Sequence, residues 1–224
     1  MALPIAVLVS GSGSNLQSII DRIESGALDA QIKLVLSNKP DAYGLLRARN
    51  HNIPALALDH TDYPTREAFD AEMIRAIREA GAEAVICAGF MRILTTGFLN
   101  AFPGRVLNIH PALLPSFPGV HGQADAADYG VRISGCTVHF VDEKMDHGPV
   151  VIQAAVPAFP GEGGDALGDR ILALEHRIYP QAVQWLAQGR LTLEGRHVQL
   201  RDAAIPLAPA PGNALVSPAL EEGF

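Results

Sequence analysis

The sequence predicts an α/β fold, and two features of its pattern lead to that prediction. Apolar runs of strand length alternate with segments of helical periodicity over the first half of the chain, which is typical of a parallel sheet with helices on both faces. Farther along, two apolar runs follow one another without a helix between them, which favours an antiparallel addition. With 224 residues and 48% hydrophobic content, we expect one Rossmann-like domain with a mixed, mostly parallel sheet.

Helices in the first half are predicted from apolar spacing and from the residues at their ends. Apolar residues recur at i, i+3, i+4 and i+7 from Leu16, which predicts an amphipathic helix that Gly26 ends. A second helix is predicted at 44–50, and Thr65 is placed to cap a third that ends at Gly81. The other predicted elements are a short helical segment near Phe98 and strands at 5–9, 32–36, 55–58, 84–88 and 106–109.

The second half is predicted to contain a strand pair, a long helix and a terminal hairpin. The strands lie at 137–141 and 150–156, and the helix at 166–187, with an interruption near Pro180 because proline lacks an amide donor. A small hairpin surrounds Gly195, with strands at 191–193 and 198–200. We expect the domain to occupy residues 1–200. Residues 201–224, rich in Pro and Ala without periodicity, are expected to form a draped or mobile tail that the chemistry does not need.

Charge and composition exclude several classes of protein. The formal net charge of −7 argues against a general nucleic-acid binder, which normally shows a basic face. The N-terminus lacks the pattern of a signal peptide, and no apolar run approaches the roughly 20 residues that cross a bilayer. We therefore expect a cytoplasmic protein without a membrane partner. Cys87 and Cys136 lie in apolar runs and are expected to be buried free thiols. The sequence leaves both a monomer and a homodimer open.

The most informative segment is the strand at 106–109 and the loop that follows it. Asn108 and His110 are two residues apart, so on an extended strand they point to the same side. Pro111 and Pro115 then end the strand and stiffen the loop. An amide and an imidazole held side by side suit the stabilisation of a developing oxyanion. The alternative is that both side chains merely fix the loop.

A glycine-containing turn, residues 11–15, joins the first strand to the first helix. Glycine lets backbone amides turn toward a ligand, and the helix N-terminus adds a partial positive charge, which together suit a phosphate. Leu16 stands where a dinucleotide fingerprint has its third glycine, and no acidic residue follows the second strand for a ribose diol. A monophosphate is therefore favoured over NAD. A plain tight turn is the alternative.

Other polar positions have ordinary explanations when they are considered alone. The segment 91–94 follows a strand and suits a loop that begins a helix, Arg66 suits a solvated surface, and Asp146 suits a turn. Glu175 suits a charged helix surface. The histidines near Asp146 fit no zinc spacing, so we expect no metal.

Four motifs occur together and in order, and they change these interpretations. They are Gly11-Ser-Gly13-Ser-Asn15-Leu, Ala88-Gly-Phe-Met-Arg-Ile-Leu94, Asn108-Ile-His110-Pro111 with Leu113-Leu114-Pro115 and Pro118-Gly119, and Asp142-Glu-Lys-Met-Asp146-His-Gly148-Pro149. The set resembles the signatures of the folate-dependent formyltransferases, and within them the phosphoribosylglycinamide formyltransferases. The resemblance runs from about residue 5 to about residue 200.

The resemblance implies a reaction and a role for each matching position. It implies 10-formyltetrahydrofolate as formyl donor, glycinamide ribonucleotide as acceptor, and neither a metal nor a covalent enzyme intermediate. The implied catalytic residues are Asn108 and protonated His110 as oxyanion donors, and Asp146, which pairs with His110 and helps move the amine proton. The implied acceptor-binding residues are Gly13, Ser14 and Asn15 for the phosphate and Glu175 for the ribose. The implied folate-binding residues are Arg66, Met91, Arg92, Ile93, Leu94 and Asn108.

Three positions depart from the family pattern. Ala112 replaces a common serine and Gln123 a common histidine, which should alter contacts around the catalytic residues. Leu172 is apolar where relatives often carry a polar or basic residue, which puts one phosphate contact in doubt.

Other functions share parts of this pattern. Methionyl-tRNA formyltransferase normally adds a C-terminal RNA-binding domain, and formyltetrahydrofolate deformylase normally adds an N-terminal regulatory domain, so chain length disfavours both. A sugar-nucleotide formyltransferase fragment and a catalytically inactive nucleotide-binding module are further alternatives. Retention of Asn108, His110 and Asp146 argues against the inactive module.

Overall fold

The computed structural model describes residues 1–203 and 206–224. Two compact units make up the chain, Met1–Asn108 and Ile109–Phe224. The boundary between them falls within the strand Val106–His110.

The first unit is a parallel α/β unit. Its strands follow the order β5-β4-β1-β2-β3, and β2 and β4 pair parallel with β1 on either side. Strand β1 is buried over nearly its whole length, as expected for a strand covered on both faces. The strands are β1 (Leu3–Val9), β2 (Ala30–Ser37), β3 (Ala55–Ala57), β4 (Ala84–Cys87) and β5 (Val106–His110).

Helices connect these strands at the predicted positions. Helix α1 contacts α2, and α3 contacts α4; right-handed crossovers in this strand order place the two pairs on opposite faces of the sheet. Thr65 caps α3 as predicted, because its hydroxyl accepts a hydrogen bond from the amide of Ala68 at 3.1 Å. The helices are α1 (Ser14–Glu24), α2 (Tyr43–Asn50), α3 (Arg66–Glu79) and α4 (Thr96–Ala101), with a short 3₁₀ turn at His60–Asp62.

The second unit combines an antiparallel strand pair with two helices. Strands β6 (Ile133–Phe140) and β7 (Val150–Pro157) pair antiparallel, as predicted. Helix α5 (Gly122–Tyr129) was not predicted, since its sequence is short and rich in alanine, with no apolar periodicity. The predicted interruption near Pro180 is wrong: α6 (Gly164–Ala187) continues through it. The residues around Pro180 are buried, and this packing compensates for the missing amide hydrogen bond.

The C-terminal residues form more regular structure than their composition suggests. The hairpin around Gly195 is confirmed as β8 (Leu191–Glu194) and β9 (His197–Leu200). The draped or mobile tail expected after residue 200 is wrong for two segments, β10 (Ala208–Ala210) and β11 (Ala214–Ser217). Strand β11 pairs antiparallel with β7. The predicted boundary at residue 200 stays a prediction.

Both cysteines are buried free thiols, as predicted. Burial raises the pKa of the Cys87 thiol to about 12, so this thiol is not ionised at neutral pH. Among residues 1–203 and 206–224, no helix has the length and apolar character needed to cross a membrane.

Candidate functional site

The turn between β1 and α1, which we call the glycine loop (residues 11–15), depends on the conformation of Gly13. This residue lies in the left-handed region at φ 69° and precedes α1 without capping it through a side chain. A Cβ atom at Gly13 would lie 2.7 Å from the Cα of Gly44, at the start of α2. The amide of Gly44 donates to the carbonyl of Gly11 at 3.0 Å. Helix α2 therefore fixes the glycine loop through backbone contacts that require glycine on both sides.

Arg47 adds a positive charge to the same loop. Its Nε donates to the carbonyl of Ser12 at 2.8 Å, and Nη1 donates to Gln17 Oε1 at 3.2 Å. The guanidinium also stacks over the ring of Tyr43, 4.9 Å from the ring centre. Sequence reasoning missed Arg47, since a single arginine on a helix carries no signal until the loop beside it is known.

The segment Met91–Thr95 follows β4 and exposes apolar side chains. Met91 and Ile93 are 58% and 48% exposed, whereas Leu94 is buried. The amide of Met91 donates to Ser10 Oγ at 2.8 Å, and the amide of Thr95 donates to Asp70 Oδ2 at 2.7 Å. Both ends of the segment are therefore fixed, while its middle is open to a ligand.

Arg66 and Arg92, the two predicted folate-contacting arginines, both act on the buried Asp70. Their positive charges lower the pKa of this carboxyl, although burial is the larger effect and raises it overall. Arg66 is exposed at the first position of α3. The guanidinium of Arg92 lies over the ring of Phe69, 5.5 Å from its centre.

The end of β5 carries Asn108 and His110, as predicted. Asn108 is opposite Cys87 of β4 and is partly exposed, whereas His110 is only 3% exposed. Nε2 of His110 lies 2.8 Å from the carbonyl oxygen of Phe117. A carbonyl can only accept a hydrogen bond, so Nε2 carries a proton. The other ring nitrogen, Nδ1, can then donate only if the ring is an imidazolium.

Asp146 lies beside that second nitrogen. Its Oδ2 is 3.5 Å from Nδ1 of His110 and accepts a hydrogen bond from the amide of Gly119 at 2.8 Å. Asp146 has a left-handed backbone, with φ 50°, which is uncommon for a residue with a side chain and is often found at functional sites. The structure thus brings His110 and Asp146 together, as the family resemblance implies.

A second histidine, His139 on β6, completes this group, which we call the histidine–aspartate cluster (His110, His139 and Asp146). Nε2 of His139 is 3.9 Å from Asp146 Oδ1, and Nδ1 lies 2.9 Å from the carbonyl oxygen of Phe140. Burial lowers the pKa of His139, despite the opposing effects of that carbonyl and of the Asp146 charge. His139 is therefore neutral at pH 7 and adds no cation to the cluster.

The loop 111–119 is held against β6 and β7 by the polar side chains of Thr137, which is buried, and Gln153, which is half-buried. Thr137 Oγ1 donates to the carbonyl of Ala112 at 2.7 Å and accepts from the amide of Leu114 at 3.1 Å. Gln153 Nε2 donates to the carbonyl of Leu114 at 3.0 Å. Gly148 follows Asp146 closely, and a Cβ there would lie 1.8 Å from the carbonyl oxygen of Phe140. The cluster therefore sits in a rigid frame.

Glu175 and the departing positions lie on α5, α6 and the loop after β5. Glu175 is 6% exposed, so its interpretation as surface charge is wrong. Burial raises the pKa of the Cys136 thiol, and the negative charge of Glu175 raises it further. Leu172 is half-buried, Ala112 is fully buried, and the side-chain oxygen of Gln123 has no hydrogen-bond partner among the described residues. The part of the chain that the structure describes holds no group of three metal-ligating side chains.

Comparison with known proteins agrees with the family resemblance of the four sequence motifs. The formyl transferase family model matches residues 3–183. The phosphoribosylglycinamide formyltransferase of Escherichia coli is 43% identical over 90% of this chain and 95% of its own length.

The chain belongs to the formyl transferase family.

Two further comparisons describe how this family member relates to longer and to solved proteins. The trifunctional purine biosynthetic protein adenosine-3 of Drosophila pseudoobscura pseudoobscura is 48% identical over 84% of this chain, which spans 14% of that relative's length. Glycinamide ribonucleotide transformylase 1 from Symbiobacterium toebii is 48% identical with a TM-score of 0.88, covering 90% of this chain and 95% of its own. The phosphoribosylglycinamide formyltransferase of Coxiella burnetii is 40% identical with a TM-score of 0.85, covering 89% and 94%.

These findings confirm the predicted family and the predicted α/β fold class. The predicted roles of individual residues and the predicted cytoplasmic location stay predictions, and the choice between a monomer and a homodimer stays open. Four groups that hold site residues in place were not predicted from the sequence: the Phe117 carbonyl, the Gly119 amide, and the side chains of Ser10 and Asp70. No sequence pattern indicates such contacts, because they join residues that are not adjacent in the chain.

Proposed function

We propose that this formyl transferase family member transfers the formyl group of 10-formyltetrahydrofolate to the amine of glycinamide ribonucleotide, a step of purine biosynthesis. Two findings support the proposal. The Escherichia coli relative named for this activity matches along 95% of its length. The chain also keeps every residue that the family resemblance implies for catalysis, which are Asn108, His110 and Asp146.

The observation that carries the mechanism is the arrangement around His110. Attack of the substrate amine on the formyl carbon forms a tetrahedral intermediate with a negative oxygen, which needs hydrogen-bond donors. Nε2 of His110 is already used by the Phe117 carbonyl at 2.8 Å. The ring must therefore donate to the oxyanion from Nδ1, as an imidazolium. Asp146, with Oδ2 at 3.5 Å from Nδ1, favours that charged form. Asn108 supplies the second donor.

The formyl transfer also requires a proton to move between the two nitrogens, and we assign this second role to Asp146. The attacking amine gains a bond to carbon and must lose a proton, and the departing folate nitrogen must gain one when its bond to the formyl carbon breaks. Asp146 assists this transfer, with a water as carrier. The Gly119 amide holds the carboxylate in place at 2.8 Å. Neither a metal nor a covalent intermediate enters this scheme.

The remaining residues bind the two substrates. Gly13, Ser14 and Asn15 bind the phosphate through the glycine loop and the start of α1. Glu175 contacts the ribose. Folate binding falls to Asn108, Arg66 and the segment 91–94, where the exposed side chains of Met91 and Ile93 offer apolar contact. Because Leu172 cannot donate to the phosphate, we assign the added positive charge at this loop to Arg47.

A single assay tests the proposal. The protein is supplied with 10-formyltetrahydrofolate and with glycinamide ribonucleotide, methionyl-tRNA, a sugar-nucleotide amine or water alone, and release of tetrahydrofolate is followed. Glycinamide ribonucleotide should be the acceptor that supports turnover. Faster release with another acceptor would contradict the assignment, and release with water alone would indicate a hydrolase.

A further inference from the structure

The segment Met91–Thr95 is fixed by two side chains that the proposed mechanism does not use. Ser10 Oγ accepts from the amide of Met91 at 2.8 Å, and Asp70 Oδ2 accepts from the amide of Thr95 at 2.7 Å. Both acceptors are buried, with exposures of 5% for Ser10 and 3% for Asp70. The residues between the two anchored amides include Met91 and Ile93, whose side chains are open to solvent. The segment is therefore a short span held at its ends.

The carboxyl group of Asp70 is buried, which is an unfavourable environment for a charged group. Burying a carboxylate costs free energy unless hydrogen bonds and opposite charges compensate. Here the compensation comes from Thr95, which donates from its amide and its side chain, and from the charges of Arg92 and Arg66. Other carboxylates of α3 lie on its exposed side, such as Glu79, which pairs with Arg75 of the same helix. A carboxylate buried against the end of a loop instead suits a group that fixes backbone geometry.

The Ser10 anchor connects the segment to the glycine loop. Ser10 directly precedes Gly11, and its amide donates to the carbonyl of Gly89 at 3.0 Å. Its hydroxyl donates to Asn38 Oδ1 at 2.5 Å, so the oxygen keeps a fixed direction while it accepts from Met91. Asn38 is 2% exposed, which holds this arrangement rigid. Ser10 therefore bonds to the folate-binding segment through its hydroxyl, and its backbone continues directly into the glycine loop.

We propose that Ser10 and Asp70 are positioning residues that set the geometry of the folate-binding segment, with Ser10 also coupling that segment to the glycine loop. The proposal rests on the proposed function. Ser10 acts through the backbone amide of Met91, and Asp70 acts through the amide and the side chain of Thr95. The two anchors therefore have distinguishable effects: Asp70 acts on folate alone, and Ser10 acts on folate and on the phosphate-bearing acceptor.

The test compares Asp70→Ala, Asp70→Asn, Ser10→Ala and the control Glu79→Gln, which removes an exposed carboxylate from the same helix. Asp70→Ala should raise the folate KM about tenfold or more, as expected for loss of a hydrogen bond to a charged acceptor. Its acceptor KM and its turnover at saturation should stay near the parent's. Asp70→Asn retains an oxygen for the Thr95 amide and should restore most of the folate KM. Ser10→Ala should raise both KM values, and Glu79→Gln should change neither.

Amide hydrogen exchange supplies a readout that does not depend on turnover. The Thr95 amide should exchange faster in Asp70→Ala and keep its protection in Asp70→Asn, whereas the Met91 amide should exchange faster only in Ser10→Ala. If Asp70→Ala does not fold, an Asp70→Asn enzyme with a folate KM about tenfold above the parent's would overturn the role of Asp70. A Ser10→Ala enzyme with the parent's KM values and the parent's Met91 exchange rate would overturn the role of Ser10.

Two results would overturn the proposal. The first is a folded Asp70→Ala enzyme with the parent's folate KM and the parent's Thr95 exchange rate. The second is an Asp70→Asn enzyme as impaired as Asp70→Ala. A parent protein that prefers another acceptor would contradict the proposed function instead, while the folate KM and the exchange rates would remain measurable with that acceptor.

Discussion

The glycine loop and the histidine–aspartate cluster, each considered by itself, use different chemical groups of the protein. The loop is made of backbone: Gly13 has a left-handed conformation, and its neighbours bond to α2 through main-chain carbonyls. The cluster is made of buried side chains, His110 at 3% exposed and His139 at 2%. Binding a phosphate needs only fixed N–H dipoles. Moving a proton needs groups that change charge, held within hydrogen-bond reach of the reacting atoms directly or through one water.

That difference leads to different expected responses to mutation. Changes in the glycine loop should weaken the binding of one substrate and leave the chemical step intact. Changes in the cluster should slow the chemical step and leave binding nearly intact, since its groups act on charge that develops in the transition state.

The largest effect is expected from Asp146→Asn. The amide cannot accept a proton or favour the His110 imidazolium, so turnover at neutral pH should fall by about 10² or more, as for loss of general acid–base assistance. Both KM values should change much less than turnover. Steady-state kinetics of the variant beside the parent measure this, and near-normal turnover would contradict the assignment of proton transfer to Asp146.

A loss of about 10² in turnover is expected for Asn108→Ala and for His110→Ala, the magnitude of removing one oxyanion donor. The KM values for both substrates should change much less. Steady-state kinetics for each variant, with circular dichroism to verify folding, makes the comparison. Near-normal turnover in either variant would show that the residue is not an oxyanion donor.

A smaller effect is expected on stability from His139, whose pKa is lowered chiefly by burial. Below about pH 6.5, His139 binds a proton more readily in the unfolded chain than in the folded chain. The free energy of unfolding therefore falls as pH falls. His139→Gln should remove this contribution, which is at most about 1.4 kcal/mol per pH unit for one proton. Urea titrations of both proteins at several pH values test it. Equal pH dependence would mean that His139 titrates alike in both states.

The two regions also differ in how much of them the sequence could predict. Gly13 and His110 lie in local motifs, so their elements and placement followed from a few consecutive residues. The structure has a turn at Gly13 and a strand that carries His110 at its end, as predicted. By contrast, the contact of Asp146 with Gly119 joins residues 27 positions apart. Only the resemblance to a family linked Asp146 to His110, because no local pattern does so.

The errors in the predicted fold have the same origin. Helix α5 lacks a clear apolar stripe and buries only Gly122 and Ala126, so its contact with α6 stabilises it instead. Strand β11 alternates buried Ala214 and Val216 with exposed residues over four positions, too short a pattern to stand out in a proline-rich tail. Its pairing with β7 is a tertiary contact, which composition does not predict.

The contrast between a binding loop made of backbone and a cluster that performs chemistry is tested most directly by Gly13→Ala measured beside Asp146→Asn. A methyl group at Gly13 meets the Cα of Gly44 and occupies a left-handed conformation, which costs about 1–2 kcal/mol. The KM for glycinamide ribonucleotide should therefore rise about tenfold, with the folate KM and turnover near the parent's. Asp146→Asn should show the opposite, reduced turnover with both KM values retained. A Gly13→Ala enzyme that loses turnover, or loses both substrates equally, would contradict the account.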